Sequence, residues 1–140
     1  MKNKGFTLIE LLAVIIILGI LSVLIIPKVT NMINEAEKNA NMTSAQNLVQ
    51  AAKIKVSNNE IETRNELVMI NYGTGQNKDY LSYTGDKPES GVVKIKPDGT
   101  IAMAVQFGDK CYMKPFYNDD IVAYTYNAST CGLNASVFQN

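Results

Sequence analysis

From Phe6 to Ile26 the chain reads FTLIELLAVIIILGILSVLII, an apolar run of 21 residues that contains one charge, Glu10. As a helix it spans about 31 Å, enough for a bilayer core. A segment like this has to be covered by lipid or by protein, because water solvates it poorly. Lys2 and Lys4 precede it, and basic residues ahead of a first span hold the N-terminus in the cytoplasm, so residues beyond Pro27 are expected outside. A cleavable secretory signal has a shorter core, about 7 to 15 residues, and a small-residue cleavage site, neither of which fits here. A plain single-pass anchor fits the length but leaves Glu10 unexplained, since a carboxylate deep in a bilayer costs roughly 2.5 to 3.5 kcal/mol.

Composition narrows the chemistry. The 140 residues hold 13 Lys+Arg against 13 Asp+Glu, two cysteines and no histidine. Histidine-dependent catalysis and imidazole metal ligation are thereby excluded, and two thiols cannot build a four-thiolate zinc site or an iron-sulfur cluster in one chain. Arg64 is the one arginine, and zero net charge is not the footprint of a nucleic-acid binder, even with Lys53, Lys55, Lys94 and Lys96 available to a basic surface. No catalytic site, metal site or cofactor is predicted.

The segment KGFTLIELLAVIIILGIL resembles the N-terminal signature of type IV pilins and the related pseudopilins. The features that carry the resemblance are the short basic leader, Gly5, the aromatic Phe6, Glu10 four positions later, Gly19, and Pro27 closing the apolar run. Detailed resemblance covers roughly the first 30 residues. It implies cleavage between Gly5 and Phe6 by a prepilin peptidase, N-methylation of Phe6, and polymerisation through the N-terminal helix into a homo-oligomeric filament with the help of membrane assembly machinery and minor pilins. It also implies that Glu10 meets the Phe6 amine of a neighbouring subunit, and that Gly19 and Pro27 are associated with curvature or local melting of the helix. The expected organisation is a leader at 1–5, a membrane-spanning and polymerising segment at 6–27, and an extracytoplasmic globular domain at 28–140. A pseudopilin of a secretion or DNA-uptake machine and a membrane-anchored binding module are the competing readings.

Past Pro27 the helical pattern continues to Ser57-Asn58-Asn59. Val29, Ile33, Ala36 and Ala40 form one stripe, and Ala45, Val49, Ala52 and Val56 a second on roughly the opposite side, the latter read as core packing. One helix from about Phe6 to Val56 is predicted. The remainder carries all seven tyrosines and reads as β-rich. The stretch from Glu60 to Ile70 is read as a short helix and the region from Tyr72 through Tyr80 and Tyr83 to Lys87-Pro88 as a loop. Residues 92–96 and 100–105 flank the turn Pro97-Asp98-Gly99 as a hairpin. Cys111 to Phe116 and Ile121 to Tyr126 complete an antiparallel sheet of three or four strands, with Pro115 placing the first of these at an edge. Laid on the helix, this is an α+β, pilin-like fold.

Cys111 and Cys131 lie 20 positions apart on the predicted outer side. A disulfide between them would constrain the unfolded chain by roughly 3 kcal/mol, and many pilins resemble this in having a cysteine-bounded loop near the C-terminus. Two free thiols and an intersubunit bridge are the alternatives. Gly73-Thr74-Gly75 lacks the spacing of a phosphate loop, and Asp79, Asp119 and Asp120 lack that of a calcium site, so all are read as turns. Asn41, Asn127 and Asn134 open short glycosylation patterns to which no function is given.

Overall fold

The computed structural model describes residues 5–61, 66–73, 80–128, 130–132 and 135–138. The chain divides into two compact units, Met1–Lys38 and Asn39–Asn140. One helix, α1 (Leu8–Ser57), contributes to both and continues through Gly19 and Pro27. It stops where the asparagine pair was expected to stop it. Asn59 adopts a left-handed φ of 55°, Asn59 N donates to Val56 O and Glu60 N to Lys55 O, so the last carbonyls of the helix are satisfied by a Schellman-type cap.

In the second unit, five strands follow: β1 (Val68–Tyr72), β2 (Ser90–Ile95), β3 (Ile101–Phe107), β4 (Lys110–Lys114) and β5 (Val122–Thr125). They pair in sequence order as one antiparallel meander. The hairpin around Pro97-Asp98-Gly99 is present, with Lys96 N bonding Thr100 O and the Asp98 carboxylate accepting from both Thr100 N and Thr100 Oγ1. Between β3 and β4 the connection shortens to Gly108-Asp109, and Gly108 takes the positive φ of 56° that a two-residue hairpin needs at its first position.

Side-chain alternation gives the sheet two buried faces. Ile70, Val93, Ile95, Met103, Val105 and Tyr112 face α1, where Ala45, Leu48, Val49 and Ala52 complete the main core. The second stripe of the sequence is therefore the packed one, extended by Asn41, Ser44 and Ala51. Cys111, Met113 and Ala104 face the other way and are covered by Cys131 and Ala135 from the C-terminal segment, which ends in the 3-10 turn Ser136–Phe138.

Three sequence expectations are corrected. Part of the proposed helix from Glu60 to Ile70 is strand: Val68, Ile70 and Tyr72 alternate inward at period two, and pairing with β2 outweighs local helical preference. Residues 62–65 of that stretch lie outside the described residues. Tyr72, expected in a loop, is the last residue of β1, while 74–79, including Asp79, lie outside the description. The strand beginning at Cys111 is an inner strand, paired on both sides, because it ends at Lys114 and the missing N–H of Pro115 falls just beyond the ladder.

Two close approaches hold loops in place. Gly85, at φ 131°, lies so near α1 that a Cβ would come within 2.5 Å of Ser44 Oγ, and the same hydroxyl accepts from Asp86 N at 3.0 Å. At the start of β2, Gly91 has φ 124° and a Cβ there would strike Ala104 O.

Lys114 carries a charge into the interior with only 3% of its surface exposed. Its ammonium donates to Ile101 O at 2.8 Å, Pro115 O at 3.1 Å and Asn118 O at 2.8 Å, and pairs with Asp119 Oδ1 at 3.3 Å. Asp119, read from sequence as a turn residue, is exposed but also meets Lys53 of α1 at 3.4 Å. Hydrogen bonds from the two lysines, Lys114 foremost, hold its carboxyl below the usual carboxylate range. Whatever that pair adds to stability is thus present above the usual range and is lost only as pH falls through the lowered value. The carbonyls of Ile101 and Pro115 matter more than the carboxylate, because their bonds to Lys114 are buried and they would be left without their donor. Lys114→Met should cost about 2 kcal/mol in denaturant unfolding, whereas Asp119→Asn should cost under about 1 kcal/mol as an exposed pair; equal losses would assign the role of the lysine to the ion pair.

Candidate functional site

Helix α1 starts at Thr7 for a local reason. Thr7 Oγ1 accepts from Glu10 N at 3.4 Å, and the Glu10 carboxylate reaches back to accept from Thr7 N and Thr7 Oγ1, both at 2.8 Å. This is a capping box, T-x-x-E: the Glu10 carboxylate satisfies the Thr7 amide, and the Thr7 hydroxyl adds a second acceptor for the Glu10 amide, which also donates to Thr7 O at 3.1 Å. One carboxylate oxygen, Oε2, accepts both bonds from Thr7; among the described residues Oε1 makes none. The sequence reading singled out Glu10 for its charge and passed over Thr7, although the spacing Thr7-Leu8-Ile9-Glu10 is itself the signal.

Around this cap the chain is bare. Every residue from Gly5 to Ala40 is exposed within the chain, with Phe6 at 90%, and the apolar window of α1 that is long enough to cross a membrane has none of its surface buried. Val29, Ile33, Ala36 and Ala40, the first stripe of the sequence, share this exposure. Gly5 and Gly19 have no atom within 4 Å of where a Cβ would stand, so no contact within the chain requires glycine at either position. Pro27 lacks the N–H that would bond back one turn. On either side of it, Ser22 Oγ donates to Leu18 O at 2.7 Å and Thr30 Oγ1 to Ile26 O at 2.9 Å, a use of hydroxyls to serve helix carbonyls where water is absent.

The other predicted pair is in the second unit. Cys111 of β4 and Cys131 of the C-terminal segment form a disulfide, with Cα atoms 5.8 Å apart. It fastens the C-terminal segment to the face of the sheet opposite α1. Gly5, Phe6, Glu10, Gly19 and Pro27 all belong to the first unit, Cys111 and Cys131 to the second. Among the described residues no cluster of His, Cys, Asp or Glu is suited to hold a metal ion. Sequence reasoning also missed Lys114, for which a lysine before a proline gives no recognisable signal.

Residues 1–26 match a family model described as the prokaryotic N-terminal methylation motif, the prepilin signature of type IV pilins and pseudopilins. No curated protein and no solved structure gives a significant match to the chain. The motif supports a type IV pilin-like or pseudopilin protein, and the apolar N-terminal helix packed on an antiparallel sheet is a pilin-like arrangement. The motif points to a structural subunit, to processing by a prepilin peptidase and to assembly into filaments, and with the apolar helix it fits membrane anchoring before assembly.

Thr7→Ala removes one half of the cap. In sugar-free detergent micelles, hydrogen exchange at the Glu10 amide should accelerate by roughly fivefold, corresponding to a cap worth about 1 kcal/mol, while amides near Ile17 keep their rates. Unchanged exchange at Glu10 would show that the helix start does not depend on this pair.

Proposed function

We propose that this chain is the structural subunit of a type IV pilus. A prepilin peptidase cuts between Gly5 and Phe6, the new Phe6 amine is methylated, and residues 6–27 hold the subunit in the cytoplasmic membrane with 28–140 outside. Copies then leave the membrane and polymerise through α1 into a surface filament, together with minor pilins and the assembly machinery. The observation that carries this reading is the exposed apolar helix bearing one carboxylate one turn from the cleavage position.

In a filament, the apolar surface that lipid covers before assembly is covered by other copies of the same helix. The Phe6 ammonium of each joining subunit then needs a counter-charge in a place without water. Glu10 supplies it. Because Oε2 is engaged with Thr7 of its own chain, Oε1 can receive the neighbour's amine without uncapping the helix. A buried pair of this sort is a poor source of net stability but a good device for register, since any other axial offset leaves a charge unpaired. Gly19 and Pro27 serve here as places where the helix bends as it leaves the bilayer for the fibre.

Three substitutions separate the charge of Glu10 from its capping role. Mass spectrometry of mature wild type and of every variant should give Phe6 as a methylated N-terminus. Glu10→Gln keeps the capping geometry and removes the charge, so it should abolish or sharply slow fibre formation, as Glu10→Ala does, at a cost of roughly 3 to 5 kcal/mol per joining subunit. Thr7→Ala keeps the charge and should still assemble. Normal fibres from Glu10→Gln alone would remove the charge from the mechanism and leave the cap as the reason for the residue.

A further inference from the structure

On the face of the sheet turned away from α1 lies a groove of about 720 Å³. Register explains its floor. Met113 pairs with Val122 and Cys111 with Tyr124, and paired residues point to the same side, so Met113 and Tyr124 share the outer face with the disulfide. Tyr117, in the β4–β5 loop, forms one wall; Thr130 and Ser136, from the C-terminal segment, form the other, and Thr125 lies at the end of the floor.

Both walls are tied to the sheet. Lys114 bonds the carbonyls of Pro115 and Asn118, which bracket Tyr117. The disulfide and the buried Ala135 hold the segment that carries Thr130 and Ser136. A groove whose sides are fixed before a ligand arrives loses less entropy on binding.

Its chemistry is selective. Every described residue lining it is uncharged, so among the described residues no charged side chain is there to recognise a phosphate, a sialic acid or a cation. A lipid tail is disfavoured by the hydroxyls of Thr130 and Ser136. Tyr117 is 75% exposed and Tyr124 51%, unusual exposure for two aromatic rings beside one cavity. Flat aromatic faces match the C–H faces of a pyranose ring, and neutral hydroxyl groups match its own hydroxyls. Another cavity of the unit is different: Asp119 there is already paired with both Lys53 and Lys114. We propose that the Tyr117–Tyr124 groove binds a neutral saccharide, and its size suits a short oligosaccharide rather than a single ring.

The test uses the full chain in a phosphocholine detergent, because detergents with sugar headgroups would compete for the groove. Saturation-transfer NMR is read against lactose, maltotriose, mannotriose and triacetylchitotriose, with sialyllactose as the anionic comparator. At least one neutral sugar should receive saturation at millimolar affinity or better, and sialyllactose should be no better a ligand than lactose. Tyr117→Ala and Tyr124→Ala should each weaken binding about tenfold, the scale of one lost aromatic contact. Tyr124→Phe should retain it, and Tyr80→Ala, elsewhere on the unit, should leave it unchanged. Tyr117 is exposed enough to be removed without disturbing the sheet, so its variant is decisive if Tyr124→Ala fails to fold. No saturation of any neutral sugar, or saturation undiminished in Tyr117→Ala, overturns the proposal. So does a concentration-dependent dimer that Tyr117→Ala dissolves while no sugar binds, since the groove would then be a contact between copies. None of these readouts depends on filament assembly.

Discussion

The structure depends on an apolar helical surface that its own chain does not cover. From Gly5 to Ala40 every residue is exposed, with no described residue covering it, yet the segment is hydrophobic enough to cross a membrane. In the proposed function, lipid covers this surface in the membrane and other copies of the helix cover it in the fibre. A segment that both environments accept can pass from one to the other without meeting water, which gives the single charge at Glu10 its significance: it is the one group in the run that distinguishes the two. The capping box adds a local reason for the same residue, and the pairing proposed for it is compatible with the cap, which engages Oε2 alone among the described residues.

Farther along the same helix, the requirement changes. Ala45, Leu48, Val49 and Ala52 are buried against the sheet, and the small residues let the strands approach closely. Polar contacts then place the loops: Ser44 and Asn47 bind the segment around Thr84 to Asp86, and Lys53 reaches Asp119. On the opposite face the disulfide, the buried Ala135 and Lys94 over the Phe138 ring hold the C-terminal segment. Lys114 and the disulfide are independent fixtures, one electrostatic and one covalent, and they fasten the two sides of the same groove.

The helix was legible in the sequence because its signals are local and repeated: an apolar run, two stripes at helical spacing, and an asparagine pair at the end. The hairpin at Pro97-Asp98-Gly99 was legible for the same reason, its turn residues having few other uses. Val68-Met69-Ile70-Asn71-Tyr72 was not, because a short alternating segment becomes a strand only once β2 is beside it. Pro115 misled because the rule concerns strand interiors, and the position of a strand end is hard to read to within a residue. At the N-terminus, Gly5, Phe6 and Glu10 stood out by resemblance, whereas the Thr7 partner was readable from spacing alone. Lys114 could not have been found. Its three carbonyl partners come from β3, the next residue and the following loop, and only the folded chain brings them together.

The account's central claim is that the uncovered part of α1 is buried by copies of itself outside the cell. Cryo-electron microscopy of sheared surface fibres, with mass spectrometry of their subunits, tests it most directly. The claim predicts fibres made mainly of this chain beginning at Phe6, with the helices from Phe6 to Ala40 bundled along the axis and Glu10 of each within ion-pair distance of another subunit's Phe6 amine. Fibres that lack this chain, while it remains as single copies in the membrane, would contradict it.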